Sequence, residues 1–440
     1  PEYLFSYFAV WRLGAVAIPT NRVYTPSELS YMVENSGAKV IITDTEGKDS
    51  ASGLGISVYV PENIESFRTA DVLPPANTDF NDLCQLQYTS GTTGKPKGAM
   101  LTHGNWLAAI HNECDVLTLK QDDVYLGIYP MGHVGLSWGI AAMRAGALYV
   151  MMERYEPTRY LELCKKFGVT VLAGMPPVIH SLTEAPENAG YEECLKTVRE
   201  IISGGGPLHH DIWKRFHYRY NIPVINAYGL SETVVIGTGT VIRPEDYASA
   251  DRFQSVGHPV CFSEVKIVDE NRNTVEKGQV GELAVKGPGV MLRYYKDEKA
   301  TNEVLADGWL YTGDMAKEDE DGFIFLVDRK KDVIISGGEN LYPVQIEDFL
   351  RGHKAINDVA VIGLPDERLG EIAAAIIELK EGFTATEEDI NEFSKAMPRY
   401  KRPQRVIFAK VPRNPTGKIE KPKLRELYGA AKLVDAQNKS

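Results

Sequence analysis

Helix and strand patterns alternate through the first two thirds of the chain, and this alternation limits the fold more than any other feature. In YTPSELSYMVENSG, Thr25 can cap a helix, Pro26 suits its first turn, Glu28 completes a capping box and Gly37 can end it. The strand pattern AKVIITD follows directly. The same order recurs in YLELCKKFGVTVLAG, with a strand expected over residues 169–173, and in FHYRYNIPVINAYG. Such alternation predicts parallel β-strands covered by helices.

The pattern changes after about Ser255. Short alternating segments and turns, as in EVKIVDENRNTVEKGQVGELAVKG, predict an antiparallel β subdomain over about 255–330. From Lys331 onward, the strand patterns DVAVIG and EIAAAIIELK and a helix capped by Thr386 predict a compact α+β unit. We therefore expect an α/β protein with a large N-terminal domain of parallel βα layers, residues 1–330, and a small mobile C-terminal domain, residues 331–440.

Composition is that of an ordinary globular protein, with 440 residues of which 43% are hydrophobic. The balance of 48 basic and 60 acidic residues gives a net charge of -12, which argues against nonspecific nucleic-acid binding. Five cysteines without C-x-x-C spacing predict neither a disulfide framework nor a zinc site, and they fit a reducing cytoplasm. The most apolar window, residues 134–152, contains Arg144 and several glycines, so we expect buried core rather than a membrane span.

The segment YTSGTTGKPKG, residues 88–98, concentrates hydroxyl side chains, glycines and lysines. Glycine allows close backbone approach, hydroxyls donate hydrogen bonds and lysines carry positive charge, which predicts a phosphate-binding loop. The preceding DLCQLQ alternates apolar and polar residues like a half-buried strand, which places the loop at a strand end. The spacing is not that of a P-loop, because Gly94 and Lys95 are followed by Pro96, and no G-x-G-x-x-G occurs in the chain.

Further motifs follow this loop in order: NAYGLSET (226–233), YTGD (311–314), DRKKDVIISGGENLYPVQIE (328–347) and NPTGK (414–418). Together with the loop they resemble the adenylate-forming superfamily, and most closely the acyl-CoA synthetases, from the start of the chain to about Leu424. The resemblance implies that a carboxylate attacks the α-phosphate of ATP to give an acyl-adenylate and pyrophosphate, after which a thiol displaces AMP. ATP, Mg²⁺ and CoA are the implied cofactors. Members of the superfamily begin further upstream, which agrees with an apolar helical pattern that starts at residue 1 without a methionine.

The resemblance implies an ATP site made by three segments. The loop contacts the β- and γ-phosphates, Glu232 binds Mg²⁺ with Thr89, Tyr228 stacks on adenine, and Ser231 keeps a hydroxyl for phosphate contact. The segment SGGGPL lines the nucleotide pocket, with Gly206 where alanine is commoner, so that the wall there is expected to be slightly more open. The implied ATP-binding residues of these segments are Thr89, Ser90, Gly91, Thr92, Thr93, Gly94, Lys95, Lys97, Gly204, Gly205, Gly206, Pro207, Asn226, Ala227, Tyr228, Gly229, Ser231 and Glu232.

The C-terminal motifs match the remaining parts of the superfamily's site. Asp314 and Arg329 match ribose contacts, since a carboxylate can accept hydrogen bonds from both ribose hydroxyls. Lys331 matches the hinge about which the C-terminal domain rotates between the two steps. The loop that flanks the pantetheine arm of CoA matches Ser336, Gly337, Gly338 and Glu339. The implied catalytic residues are Lys418, Glu232, Thr89 and His133.

The segment YPMGHVGLSWG, residues 129–139, matches a stretch beside the acyl site. His133 is kept, whereas Gly132 replaces an aromatic residue, which would leave room for a chain or ring. The expected pocket neighbours are Trp138, Met131, Gly229 and Leu230. No basic residue in these segments demands a second carboxylate, so we expect an apolar monocarboxylic acid, aliphatic or aromatic. The segment LHHD, residues 208–211, lacks the ligand spacing of a metal site and is assigned to a helix N-terminus.

Three alternatives stay open. The acyl-adenylate could be transferred to a carrier-protein thiol instead of CoA. A catalytically silent acyl or nucleotide sensor is disfavoured because Lys418, Glu232 and Asp314 are all retained, and a phosphotransferase is disfavoured by the missing P-loop spacing. The expected partners are a small carboxylic acid, ATP and CoA, with a homodimer as the candidate assembly and no nucleic acid.

Overall fold

The computed structural model describes residues 1–21, 24–61, 73–89, 96–248, 251–413 and 419–429. The chain divides into two compact units. The first consists of Pro1–Lys266, Ala284–Thr312 and Gly322–Ile324, and the second of Ile267–Leu283, Gly313–Asp321 and Phe325–Ser440. The boundary expected at residues 330 and 331, with its hinge, stays a prediction.

Helices and strands alternate along the described residues as the sequence predicts. The α-helices are α1 (Glu2–Arg12), α2 (Pro26–Ser36), α3 (Thr45–Ser52), α4 (His103–Val116), α5 (Ser137–Arg144), α6 (Pro157–Phe167), α7 (Pro176–Thr183), α8 (Tyr191–Leu195), α9 (His210–Tyr220), α10 (Pro244–Tyr247), α11 (Glu298–Val304), α12 (Pro343–Arg351), α13 (Glu387–Ser394) and α14 (Lys421–Gly429). The strands are β1 (Val40–Ile42), β2 (Ser57–Tyr59), β3 (Leu83–Thr89), β4 (Lys97–Thr102), β5 (Val124–Gly127), β6 (Leu148–Met151), β7 (Val171–Ala173), β8 (Glu200–Ser203), β9 (Val224–Leu230), β10 (Val235–Ile242), β11 (Ser255–Pro259), β12 (Glu264–Val268), β13 (Gly281–Lys286), β14 (Leu305–Ala306), β15 (Trp309–Glu318), β16 (Ile324–Arg329), β17 (Ile334–Ser336), β18 (Glu339–Leu341), β19 (Ile356–Asp366), β20 (Gly370–Leu379) and β21 (Arg405–Phe408).

The main sheet of the first unit runs through neighbouring strands in the order β6-β5-β7-β8-β9-β10-β11. The strands from β6 to β9 are parallel, whereas β10 pairs antiparallel with both β9 and β11. Leu126, Leu172 and Ile201 are paired across three of these strands and are fully buried. Their neighbours Tyr125, Val171 and Ile202 point to the opposite face and are buried as well, so both faces of the parallel part are covered. The α/β class predicted from the sequence is confirmed.

Local signals set the helix ends where the sequence predicted them. The Thr25 side chain accepts a hydrogen bond from the Glu28 N–H, the Glu28 carboxylate accepts one from the Thr25 N–H, and Gly37 ends the helix with φ of 72°. Thr386 caps α13 in the same way through Asp389. These caps depend only on residues three positions apart, which explains why the sequence alone predicts them.

Strand β3 differs from the expected half-buried strand. It follows the predicted position, but Gln85 and Gln87 are fully buried. The Gln85 amide donates to the Gln87 oxygen at 2.8 Å, and the Gln85 oxygen accepts from the Trp106 indole at 2.9 Å and from the Tyr7 hydroxyl. The polar face of β3 is thus satisfied inside the protein rather than by water.

The apolar window at residues 134–152 forms a short 3-10 turn, helix α5 and strand β6, and most of it is buried. This confirms the prediction of buried core. Among the described residues, no helix is long and apolar enough to cross a membrane.

The second unit contains a sheet in the order β18-β17-β20-β19, with β21 parallel to β20. Alternate residues of β19 and β20 enter two separate cores. One core includes Val361 and Ile377 with Ile346 of α12, and the other includes Ile362 with Leu424 of α14. The period of two along each strand therefore fixes which helix lies on which face.

Candidate active site

The described ends of the predicted phosphate loop belong to two antiparallel strands, β3 and β4. Thr89 and Lys97 are direct partners in this pair. The residues between them that were predicted to bind phosphate, Ser90, Gly91, Thr92, Thr93, Gly94 and Lys95, lie outside the described residues. The described strands therefore bring Thr89 and Lys97, two of the residues predicted to bind phosphate, to the same end of the hairpin.

A tight turn carries Glu232 past the end of β9. The Thr233 hydroxyl accepts a hydrogen bond from the Leu230 N–H at 3.0 Å and donates to the Val235 carbonyl at 2.8 Å. Val234 and Val235 have φ of 48° and 55°, a region that β-branched residues rarely adopt. The turn that places the Glu232 carboxylate is therefore strained and closely packed.

Glu232 lies beside the phosphate hairpin. Its Oε1 accepts a hydrogen bond from the Tyr294 hydroxyl at 2.8 Å and lies 3.5 Å from the Thr89 hydroxyl. The Lys97 ammonium is 5.4 Å from the centre of the Tyr294 ring. Burial and the neighbouring Glu232 carboxylate raise the pKa of Tyr294 well above its ordinary value, so its phenol stays protonated.

The Glu232 carboxylate and the Thr89 hydroxyl are hard oxygen donors, the kind that Mg²⁺ prefers. No cluster of three or more His, Cys, Asp or Glu side chains suited to a metal occurs in the part of the chain that the structure describes. A Mg²⁺ held here would therefore take most of its ligands from nucleotide phosphates and water, as is usual for this ion.

The remaining nucleotide residues lie at the ends of β8 and β9. Gly204 comes so close to β9 that an added Cβ would lie 3.0 Å from the Ala227 carbonyl oxygen, and Gly205 has φ of 80°. A Cβ at Gly206 would meet only the Pro176 side chain at 4.0 Å, so the space of the commoner alanine is free. Pro207 is exposed in the same loop.

Two polar groups at these strand ends have different surroundings. The Asn226 amide donates to the Ser255 carbonyl at 3.1 Å, which ties β9 to β11. The Ser203 hydroxyl is buried and has no hydrogen-bond partner in the described structure. Tyr228, the expected adenine platform, is 8% exposed on β9.

The two predicted ribose contacts meet in the second unit. The Arg329 Nε atom lies 2.7 Å from Asp314 Oδ1, and the Asp314 side chain is buried while Arg329 is half exposed. Lys330, next to the arginine, pairs with Glu282 at 2.8 Å. Lys331 is exposed in the 3-10 turn Lys330–Asp332. The Arg329 guanidinium thus holds the Asp314 carboxylate in place.

The predicted pantetheine loop is a two-residue hairpin between β17 and β18. Ser336 and Glu339 are direct partners, and Gly337 and Gly338 have φ of 59° and 88°. A turn with two positive φ values requires such residues, which gives a conformational reason for both glycines.

Lys418 lies outside the described residues, but the residues on either side of this gap are anchored in the second unit. Arg413 and Ile419 form an antiparallel bridge. The Arg413 guanidinium contacts Asp358 at 2.9 and 2.7 Å, and the Lys421 ammonium contacts Glu347 at 2.8 Å.

The segment expected at the acid site is buried and apolar. His133 is half-buried before the turn Val134–Leu136, and Trp138 is only 2% exposed. The space expected at Gly132 is not open: a Cβ there would lie 2.5 Å from the Thr20 carbonyl oxygen and 3.0 Å from the Asn21 nitrogen. The earlier expectation of room at this position is therefore wrong, because the backbone of another segment fills it.

Tyr294 is the site residue that sequence reasoning missed. It is 62 positions from Glu232, and no local spacing connects the two.

Helix α9 begins at His210, so the assignment of residues 208–211 to a helix N-terminus is confirmed.

Comparison with known proteins agrees with this arrangement. The chain matches the family model described as AMP-binding enzyme over residues 1–295 and that described as AMP-binding enzyme C-terminal domain over residues 345–418. It is 32% identical to the long-chain-fatty-acid–CoA ligase FadD13 of Mycobacterium tuberculosis, over 98% of this chain and 86% of that protein. It is also 32% identical to the feruloyl-CoA synthase of an Amycolatopsis species, over 98% of this chain and 87% of that protein.

A solved structure of o-succinylbenzoate coenzyme A synthetase from Bacillus subtilis, in complex with ATP and magnesium, is similar to this chain. Its TM-score is 0.87 at 28% sequence identity, and the match covers 96% of this chain and 87% of that one.

Proposed function

Since the chain belongs to the AMP-binding enzyme family, we propose that its substrate is an apolar monocarboxylic acid, aliphatic or aromatic, which it joins to CoA. The reaction class is that of an AMP-forming acid–thiol ligase, which uses ATP, Mg²⁺ and CoA. The proposal concerns the acid and the roles of individual residues.

In the first step, a carboxylate oxygen attacks the α-phosphorus of ATP, and pyrophosphate leaves. Negative charge on the phosphate oxygens is stabilised by Lys97, by the Thr89 hydroxyl and by the loop between them. Glu232 would hold a Mg²⁺ ion, which would supply further positive charge to these oxygens. Lys418 reaches the acyl and α-phosphate oxygens.

In the second step, the CoA thiolate attacks the carbonyl carbon of the acyl-adenylate, and AMP leaves with the carboxylate oxygen that had attacked phosphorus. Rotation of the C-terminal domain at Lys331 would exchange Lys418 for the hairpin that contains Gly337 and Gly338. The bare backbone of these glycines leaves space for the narrow pantetheine arm.

One observation carries the choice of acid. Between Tyr129 and Ala142, His133 is the only residue whose side chain can be cationic, and the rest of the segment supplies buried apolar groups. A second carboxylate on the substrate would have no fixed positive partner there, so its desolvation would be costly. The named activities of the fatty-acid and feruloyl relatives are in keeping with an apolar acid.

The location and assembly are part of the proposal. The five cysteines are free thiols, which agrees with the reducing cytoplasm. A homodimer is the assembly to test, and sedimentation velocity of the purified protein at several concentrations distinguishes it from a monomer.

A panel of acids tests the substrate. The protein is incubated with ATP, Mg²⁺, CoA and short, medium, branched or aromatic monocarboxylic acids, together with dicarboxylic acids of matched length, and acyl-CoA and AMP are measured by mass spectrometry. We expect equal amounts of thioester and AMP from apolar monocarboxylic acids. Preference for the dicarboxylic acids contradicts the proposed acid class. Formation of acyl-adenylate without acyl-CoA would point to a carrier-protein thiol as the acceptor.

A further inference from the structure

Residues 291–295 lie alongside the phosphate hairpin. The Met100 N–H donates to the Arg293 carbonyl at 3.0 Å, the Leu292 N–H to the Met100 carbonyl at 3.0 Å, and the Tyr295 N–H to the Gly98 carbonyl at 2.8 Å. This segment thus adds a third extended stretch beside β4. It fixes the hairpin end that carries Lys97.

The same segment holds the Glu232 turn. The Met291 N–H donates to the Glu232 carbonyl at 2.8 Å, and the Tyr294 hydroxyl donates to Glu232 Oε1 at 2.8 Å. Tyr294 is itself fixed, since the residue is 7% exposed and its N–H donates to the Thr301 hydroxyl at 3.0 Å. Backbone and side chain of Glu232 are therefore both positioned by one short segment.

The two oxygens of the Glu232 carboxylate have different hydrogen-bond partners. Oε1 faces the Tyr294 hydroxyl and the Thr89 hydroxyl. Among the described residues, Oε2 accepts no hydrogen bond, so it is the oxygen left for a cation. A fixed outer partner of a metal-binding carboxylate sets its orientation and raises its affinity for the metal.

We propose that Tyr294 is a positioning residue for the adenylation step: its hydroxyl aims the Glu232 carboxylate at Mg²⁺ and keeps it beside Thr89 and Lys97. This inference depends on the proposed role of Glu232 as the Mg²⁺ ligand. It assigns no role to Tyr294 in the thiol step, because pyrophosphate has already left before that step begins.

The test compares Tyr294→Phe, which removes only the hydroxyl, with Tyr295→Phe as the matched control. Tyr295 is the next residue, and its ring packs on an apolar cluster with Tyr88 and Leu86. Adenylate formation is measured over a range of Mg²⁺ concentrations. Binding of Mn²⁺ with ATP is measured by electron paramagnetic resonance without acid, and thioester formation is measured from supplied acyl-adenylate.

For Tyr294→Phe, we expect the Mg²⁺ concentration for half-maximal adenylation to rise roughly 10- to 100-fold, with a matching loss of Mn²⁺ affinity. Thioester formation from acyl-adenylate should stay unchanged, and Tyr295→Phe should behave like the natural protein. In a Glu232→Gln background, Tyr294→Phe should add no further change in Mn²⁺ affinity, because the two residues act together.

Unchanged Mg²⁺ dependence and Mn²⁺ affinity in Tyr294→Phe would overturn the inference. An equal loss in both half-reactions together with a lower unfolding temperature would also overturn it, because that pattern indicates packing alone. Failure of the proposed function is distinguishable: the natural protein would then form no adenylate from any acid, while the Mn²⁺ measurement would still compare Tyr294→Phe with its control.

Discussion

A buried ion pair in the second unit joins the last described helix, α14, to helix α12. Lys421, at the start of α14, is 9% exposed at its side chain, and its ammonium lies 2.8 Å from Glu347 Oε1. The same oxygen accepts the Val361 N–H at 2.8 Å. Removing the ammonium would leave the buried carboxylate with the Val361 N–H as its hydrogen-bond donor and the Arg351 guanidinium 3.9 Å away.

The perturbation is Lys421→Met, which keeps the length of the side chain and removes its charge. At 2.8 Å and an effective dielectric constant of about 20, the attraction between the charges is roughly 6 kcal/mol before the desolvation cost is subtracted. Breaking one partner of a buried pair costs about 3–5 kcal/mol, because the other charge stays buried. We expect the free energy of unfolding of the second unit to fall by about that amount.

Urea denaturation of the full chain, followed by a probe in the second unit, measures this loss. The control is Lys423→Met, because Lys423 is 59% exposed and lies 3.9 Å from Glu420; we expect that change to cost at most about 1 kcal/mol. The double variant Lys421→Met with Glu347→Gln should be more stable than the sum of the two single losses predicts. Equal costs for the two lysine variants, or strict additivity in the double variant, would refute the reasoning.

Three further changes test other parts of the structure. Gly229→Ala would place a Cβ 1.6 Å from the Val235 carbonyl oxygen, so adenylation should fall at least about 100-fold as the Glu232 turn is displaced, whereas Gly206→Ala should be nearly neutral in the same kinetic assay. Burial raises the pKa of Asp328 to about 6, so the folded state favours its protonated form. The resulting contribution to stability is fully present below about pH 4 and is lost as the pH rises through 6. Between these pH values, the free energy of unfolding of the natural protein, measured by urea denaturation, should fall by up to roughly 3 kcal/mol relative to that of Asp328→Asn; parallel pH profiles would contradict this. Lys418→Ala should lose adenylate formation but keep much of the thiol step from supplied acyl-adenylate, and equal loss of both would contradict its assigned role.

The sequence predicts those parts of the fold that depend on neighbouring residues. Short-range patterns predict the capping box at Thr25, the helix cap at Thr386, the alternation of helices and strands, and the strand that precedes the phosphate loop. The family resemblance assigns Asp314 and Arg329 to the same ligand, and the two residues form an ion pair in the structure. Their contacts to ribose stay a prediction.

Contacts between distant segments could not be predicted in the same way. The alternating pattern of β3 predicts a solvent-facing Gln85, whereas in the structure its side chain accepts hydrogen bonds from Trp106 and Tyr7 inside the protein. The glycine at 132 suggests open space until the backbone of Thr20 is seen to fill it. Tyr294 is 62 positions from Glu232, and no sequence pattern around it predicts their contact. Each case depends on tertiary packing, which local patterns do not determine.

The central claim is that a carboxylate oxygen attacks the α-phosphorus of ATP before the thiol acts. An apolar monocarboxylic acid labelled with ¹⁸O at both carboxylate oxygens, incubated with the protein, ATP, Mg²⁺ and CoA, tests it directly by mass spectrometry of the products. The account predicts AMP that carries one ¹⁸O atom and an acyl-CoA that keeps the other. Unlabelled AMP, or ¹⁸O in pyrophosphate or inorganic phosphate, would contradict it.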